Sequence, residues 1–153
     1  MTKPDGGDLI SQVAEQFTRA FWRMRRGTAK ELAPFGLTFA QARVLRVLGR
    51  ADGAVRIGDL AARLEIVPRS ATSMMDILEE AGLAVREPDR SDRRSVLVSL
   101  TPAGVSLLDR MGEARRASAE ALFGKLDEPQ LARLHELLEA LNAPDAPGEG
   151  GAA

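Results

Sequence analysis

The stretch IGDLAARLEIVPRSATSMMDILEEAGL, residues 57–83, decides the fold of this chain. Its apolar residues recur at helical spacing in two short runs, Ile57–Leu64 and Pro68–Ala81. Pro68 favours the first position of the second helix, where its missing N–H would have no partner anyway. Gly82 can take the left-handed conformation that ends a helix. Two short helices joined by three residues indicate a helix-turn-helix.

A hairpin with a charged tip is predicted next. The runs LAVREP (83–88) and SVLVSL (95–100) favour β-strands, and they flank the charged segment DRSDRR at 89–94. Alternation in the second run puts Val96, Val98 and Leu100 on one face of a half-buried strand. A helix-turn-helix followed by such a hairpin predicts a winged helix.

Long apolar helices are predicted before and after this module. The first runs from about Asp8 to Ala33, and Thr38 with Gln41 fits a capping box at the start of a second helix, Phe39–Gly49. The segment ADGAVR at 51–56 is expected to be a turn before the third helix. The first helix has an apolar stripe made of Leu9, Val13, Phe17, Phe21 and Met24.

The end of the chain predicts two more helices. Thr101–Pro102 is typical of a helix start, and this fifth helix is expected to reach about Phe123. Asp127 is expected to cap a sixth helix with an apolar seam for a partner helix, made of Leu131, Leu134, Leu138 and Leu141. The predicted fold class is therefore mainly α with a small β wing: a winged helix-turn-helix with six helices.

These elements predict one domain at 8–142. Within it, 8–36 and 101–142 are dimerisation helices, and 37–100 is the winged-helix lobe. The ends, 1–7 and 143–153, are rich in Gly, Pro and Ala and are expected to be disordered tails.

Composition excludes several classes of function. The 153 residues contain no cysteine and only one histidine, His135, so thiolate zinc sites, disulfides and a Cys nucleophile are excluded and no metal or other cofactor is expected. Neither a membrane span nor a signal peptide is found, which predicts a cytoplasmic protein. The net charge of -1 means that any DNA contact must be local.

At this point the chain resembles the multiple antibiotic resistance regulator (MarR) family of bacterial transcription factors over about Leu9 to Leu141. The matching segments are GLTFAQARVL (36–45), the helix-turn-helix quoted above, and DRSDRRSVLVSLTPAG (89–104). The resemblance implies a homodimer in which each winged-helix lobe binds half of a pseudo-palindromic operator. It also implies a repressor that a small, often aromatic, anionic ligand releases from DNA.

Two departures from the family pattern weaken the predicted recognition helix. Val67 stands where many relatives have a serine cap, and Ser73 and Ile77 occupy positions that are often arginine. Arg69 is then the only cation between Ile66 and Met75.

The candidate DNA-binding residues fall into two groups. In the second helix of the motif, the expected outward set at the N-terminal end is Arg69, Ser70, Thr72 and Ser73, where arginine can pair with guanine and hydroxyls with several base edges. In the wing, Arg90, Arg93 and Arg94 are candidates for a minor groove. Asp89 and Asp92 are expected to orient these arginines through charge-assisted forks. Either group can also be read as ordinary solvated surface.

A ligand pocket is the remaining candidate site. Phe17, Phe21, Trp22, Arg25 and Phe39 could line a pocket for an aromatic anion, although the same stripe also fits a dimer core. The leading prediction is a dimeric, ligand-responsive DNA-binding repressor. The alternative is a winged-helix protein-interaction module that does not bind DNA. An enzyme is not indicated, because no nucleophile and base pair can be proposed.

Overall fold

The computed structural model describes residues 6–92 and 94–143. In chain order the elements are α1 (Gly6–Leu32), a short 3-10 helix (Ala33–Phe35), α2 (Phe39–Gly49), β1 (Val55–Arg56), α3 (Ile57–Leu64), α4 (Pro68–Glu80), β2 (Ala84–Pro88), β3 (Val96–Leu100), α5 (Pro102–Phe123) and α6 (Glu128–Asn142). The predicted fold class is confirmed: within these described residues, six α-helices and a small antiparallel sheet form a winged helix-turn-helix.

Two boundaries differ from the predictions. Gly6 and Gly7 belong to α1, so the helix begins earlier than predicted and the predicted tail at 1–7 is too long. Residues 1–5 and 144–153 of the two predicted tails lie outside the described residues. The segment predicted as a turn at 51–56 ends in β1, because Val55 pairs with Val98 and Arg56 with Leu97 along a free edge of β3. A two-residue strand is too short to show alternation in the sequence.

The sheet has the strand order β1-β3-β2, with both pairs antiparallel. Val98 lies in the central strand opposite Arg86 of β2 as well as Val55, and it is fully buried. The predicted inner face of β3 is confirmed, since Val96 and Leu100 pack against the same core.

That core lies in the winged-helix lobe and receives residues from every element around it. The largest fully buried side chains are Leu32, Val44, Leu45, Leu60, Met75, Leu78, Leu83, Val98 and Leu107. Because α4 buries Ala71, Met75 and Leu78 and only partly buries Met74, its opposite face is turned to solvent.

The end of α4 and the start of α5 lock together. The N–H groups of Gly82 and Leu83 donate to the carbonyls of Glu79 and Leu78, with Gly82 at the left-handed φ of 69° that was predicted. The Thr101 hydroxyl caps α5 by accepting from the Gly104 N–H at 3.1 Å, and it donates to the Gly82 carbonyl at 2.7 Å. A Cβ at Gly104 would lie 2.0 Å from the Leu83 carbonyl oxygen, so only glycine allows this approach.

The helices at the two ends leave apolar surface uncovered. Along the first half of α1, Leu9, Ile10, Val13 and Phe17 are all at least half exposed, and Leu141 at the end of α6 is 76% exposed. These side chains and Ala14 line one groove of about 460 Å³. In the part of the chain that the structure describes, no helix is both long and apolar enough to cross a membrane.

Candidate nucleic-acid interface and effector cleft

The first turns of α4 present the predicted polar residues to solvent. Arg69, Thr72 and Ser73 are exposed and Ser70 is partly exposed, while Ala71 on the opposite face is completely buried. Arg69 is the only basic residue of α4. A helix that presents one arginine and three hydroxyls at its N-terminal end offers both base-reading donors and a positive dipole for phosphate.

The hydroxyls of α4 are engaged with the helix itself. Thr72 Oγ1 donates to the Pro68 carbonyl and Ser73 Oγ donates to the Arg69 carbonyl, each at 3.1 Å. Since each hydroxyl proton is used in this way, the free lone pairs of both oxygens are available as acceptors. In this rotamer they suit amino groups on base edges, such as the N4 of cytosine or the N6 of adenine.

The predicted absence of a side-chain cap on α4 is confirmed. Val67 occupies the N-cap position with an extended backbone, and its side chain makes no capping hydrogen bond. Its carbonyl accepts from the N–H of Ser70 at 2.9 Å, but the valine side chain is 64% exposed and supplies no oxygen. The start of α4 therefore lacks a stabilising interaction typically worth about 1 kcal/mol.

Asp89 anchors the wing to the neighbouring strand β1. Its carboxylate accepts from Arg56 Nε of β1 at 2.9 Å, and from the Ser91 N–H and hydroxyl at 2.8 and 2.6 Å. Asp89 is 6% exposed. The Ser91 hydrogen bonds, with the Arg56 guanidinium, lower the pKa of Asp89 to about 2. Among the described residues Asp89 therefore forms its fork with Arg56 and not with Arg90 or Arg94, and the predicted fork with Arg93 stays a prediction because Arg93 lies outside the described residues.

Asp92 closes the tip of the wing. Its carboxylate accepts from the Arg94 N–H at 3.0 Å and from the Ser95 hydroxyl at 2.8 Å, and these bonds lower its pKa. The carboxylate of Asp92 thus bonds to the backbone N–H of Arg94 and not to its guanidinium. An aspartate side chain readily accepts from the N–H two residues further along the chain, as in an Asx turn. Arg90 and Arg94 are exposed, and the third wing candidate, Arg93, lies outside the described residues.

Arg86 joins the wing to α4. Its guanidinium donates to the Thr72 carbonyl at 2.9 Å, to Asp76 Oδ1 at 2.7 Å and to Glu79 Oε2 at 2.5 Å. The Arg86 side chain is 22% exposed. This arginine is therefore a structural bridge between β2 and the recognition helix, and it is not a free DNA-contacting cation of the wing.

A second site lies between α1, α2 and α5. Three of the predicted ligand residues meet there: the Arg25 guanidinium carbon lies 3.5 Å from the Phe39 ring centre and 4.9 Å from that of Phe21. Trp22 packs edge-on against Phe21, with ring centres 5.6 Å apart. The cleft has a volume of about 600 Å³ and is lined by Phe21, Met24, Arg25, Thr28, Phe39, Ala40, Arg43, Arg46, Arg50 and Arg115.

Phe17 is placed apart from the other predicted ligand residues. It lies one helical turn before Phe21 and lines the apolar groove with Leu141. The aromatic stripe is therefore divided between two surfaces. Phe17 lies in the uncovered apolar groove, and Phe21 lies beside the cleft.

Sequence reasoning missed the arginines that α2 and α5 bring to the cleft. Arg43, Arg46 and Arg50 recur at spacings of three and four, which is the period of one helix face, and this signal was readable. Arg115 had no such signal, because it comes from another helix. Arg56, the partner of Asp89, was also missed, since it stands 33 residues away in the chain.

The fold and these surfaces define a winged helix-turn-helix protein of the DNA-binding class, with a cationic cleft beside its long helices. The model of the MarR family matches residues 35–95. The chain is 32% identical to the uncharacterized HTH-type transcriptional regulator YhbI of Bacillus subtilis over 92% of each chain. It is 28% identical to the HTH-type transcriptional repressor Rv2887 of Mycobacterium tuberculosis, over 78% of this chain and 86% of that protein.

A solved structure supports the same fold. A MarR variant from E. coli, crystallised with operator DNA, has a TM-score of 0.63 and 24% identity, covering 90% of this chain and 99% of that one. The chain therefore belongs to the MarR family, whose members are transcriptional regulators and not enzymes.

Proposed function

We propose that this protein is a homodimeric repressor that binds a pseudo-palindromic operator and is released by a small anionic ligand. The observation that carries the DNA-binding part is the geometry of α4 and the wing. Arg69 stands exposed at the open end of α4, and the Arg86 bridge fixes that helix to β2. An exposed arginine on a fixed helix is what direct readout of a base edge requires.

Support for the dimer comes from the apolar groove at the ends of the chain. Ile10 is 73% exposed and Leu141 is 76% exposed, and the groove that they line is almost free of polar surface. A second copy that supplies the same helices would cover this groove, and self-complementary contacts of this kind are typical of two-fold dimers. The boundaries 8–36 and 101–142 remain our proposal for the dimerisation region.

Support for ligand release comes from the position of the cleft. Its walls belong to α1 and α5, which we assign to the dimerisation region, and to α2, which belongs to the lobe. A ligand in contact with all three helices would favour one orientation of the lobes over others. An operator fixes the distance between two half-sites, so such a shift would weaken binding. Release by this route would take place in the cytoplasm, where the operator is.

A second candidate, a protein-interaction module that does not bind DNA, is favoured by one observation. The face of α4 carries a single arginine and the whole chain has a net charge of -1. The two candidates differ in salt dependence, because DNA binding weakens steeply with salt through counterion release.

The deciding experiment is selection of genomic DNA by the purified full-length protein, followed by footprinting of the selected site. A protected two-fold site, with an affinity that falls as salt rises from 50 to 200 mM, is the expected result. Absence of any selected site at the lower salt concentration would reject the repressor and favour the interaction module.

A further inference from the structure

The cleft between α1, α2 and α5 carries more positive charge than a singly charged ligand would neutralise. Five guanidinium groups line it: Arg25, Arg43, Arg46, Arg50 and Arg115. No acidic residue of the described chain is among the residues that line the cleft.

These five arginines also lack carboxylate partners among the described residues. The ion pairs found there involve other arginines, namely Arg19, Arg56, Arg86, Arg110 and Arg133, and His135. Burial of the half-buried Arg46, and then the charges of its four arginine neighbours, lower its pKa. Like charges gathered in a partly desolvated place destabilise one another, and a bound anion would relieve this repulsion.

The other lining residues make an apolar wall. Arg25 is stacked on the face of Phe39, and Phe21, Met24 and Ala40 complete the apolar part of the cleft. The volume of about 600 Å³ falls within the range of about 300 to 1,000 Å³ that is usual for small-molecule sites. A ligand can therefore place a flat group against the rings and its charges among the guanidiniums.

We propose that this cleft binds an organic anion that carries at least two negative charges beside a flat ring. The shared chemistry is a dianion, which an aromatic phosphate ester or an aromatic dicarboxylate would supply. The proposal deepens the ligand-release function above and rests on it for the consequence of binding. Binding itself is independent of DNA.

The test uses the full-length protein without DNA and four probes at pH 8, where a phosphate monoester carries two charges. The probes are phenyl phosphate, isophthalate, benzoate and inorganic phosphate. Trp22 is the only tryptophan of the chain and packs against Phe21 of the cleft, so its fluorescence reports binding. We expect at least one of the two ring dianions to bind about tenfold or more tightly than benzoate and than inorganic phosphate, since each added charge-assisted hydrogen bond contributes that much. The tighter of the two identifies phosphate or carboxylate as the source of charge.

Two variants locate the charge requirement. Arg46→Gln and the more exposed Arg43→Gln should each weaken binding of the preferred dianion by about tenfold, and binding of benzoate much less. The matched control is Arg133→Gln on α6, whose partner is Glu136, and it should bind like the unmodified protein. Two positions are used so that a folding defect in one leaves the other informative.

Three results would overturn the proposal. These are benzoate binding as tightly as the dianions, no binding of either ring dianion at millimolar concentration, and a loss of operator affinity in the variants in the absence of ligand. A loss of operator affinity with a smaller salt slope would make these arginines DNA phosphate contacts instead. Operator binding is measured separately. If the protein binds its operator but binds neither dianion, only this proposal is refuted. If the protein binds a dianion but selects no operator, only the proposed function is refuted.

Discussion

The guanidinium of Arg86 on β2 donates a hydrogen bond of 2.9 Å to the main-chain carbonyl of Thr72 on α4. Asp76 and Glu79, one and two turns further along α4, accept from the same guanidinium. One side chain thus fixes the angle between the recognition helix and the wing. The two elements proposed to read DNA are thus held in register by a residue whose guanidinium is engaged with α4.

Arg86→Gln should weaken binding to all operator variants by a similar factor, because it loosens both reading elements without removing a base contact. We also expect the free energy of unfolding to fall by about 1 kcal/mol, since charged hydrogen bonds are lost at a partly exposed site. Operator titrations and urea denaturation measure the two effects. Arg133→Gln is the control, and a change in preference at one base would contradict the bridging role.

Arg69→Ala and Arg94→Ala should change operator binding in different ways. Loss of Arg69 is expected to cost about 1 to 3 kcal/mol and to relax preference at one base of each half-site, because arginine pairs with guanine in the major groove. Loss of Arg94 should weaken related operators more evenly, because the minor groove mainly distinguishes A·T from G·C. Binding to operators mutated base by base checks this, and wild-type affinity in both variants would reject the DNA surface proposed here.

Asp89 should give the stability of the protein a defined acid dependence. Its pKa is lowered from 3.8 to about 2, so its stabilising contribution is complete above about pH 4 and is lost as the pH falls toward 2. Asp89→Asn should therefore lower the urea midpoint at neutral pH, and the difference from the wild type should shrink across that window. Ser91→Ala removes the largest cause of the shift, so it should move the window to higher pH. If the urea midpoints of the wild type and of Asp89→Asn stay equally far apart as the pH falls toward 2, this prediction is wrong.

Val67→Ser should stabilise the protein. The serine oxygen would accept from the N–H of Arg69 or Ser70 at the uncapped start of α4, which is typically worth about 0.5 to 2 kcal/mol. Val67→Ala is the matched control, because it shortens the exposed side chain and adds no acceptor. Thermal unfolding distinguishes the two variants, and an equal melting temperature would show that no cap forms.

Charges placed in the apolar groove should separate the dimer. Ile10→Asp and Leu141→Asp put a carboxylate into the surface that we assign to the second copy, and an unpaired buried charge is strongly unfavourable. Sedimentation at micromolar concentration should then show a smaller species with weaker operator binding. Val85→Asp is the sedimentation control, since Val85 is 38% exposed and lies on β2 in the winged-helix lobe, outside the groove. A stable folded monomer of the unmodified protein would refute the dimer.

Local patterns in the sequence determined most of the fold. Helical spacing, Pro68 at a first position and Gly82 at a helix end predicted α4 closely, and the segment VLVSLTPAG predicted β3 and the start of α5. These signals are readable because each depends on residues within one or two turns of one another. Because the spacing of its apolar residues predicted the buried face of α4, it also predicted which residues lie on the exposed face.

The tertiary structure alone decided which charged groups meet. Asp89 pairs with Arg56 of β1, 33 residues away in the chain, and Arg86 reaches back to α4. The dense charge of the cleft arises because Arg115 of α5 and Arg25 of α1 come to the face of α2 that carries Arg46. An ion pair or a cluster of guanidiniums depends on distance in space, and residues far apart in the chain leave no periodic pattern that would show it.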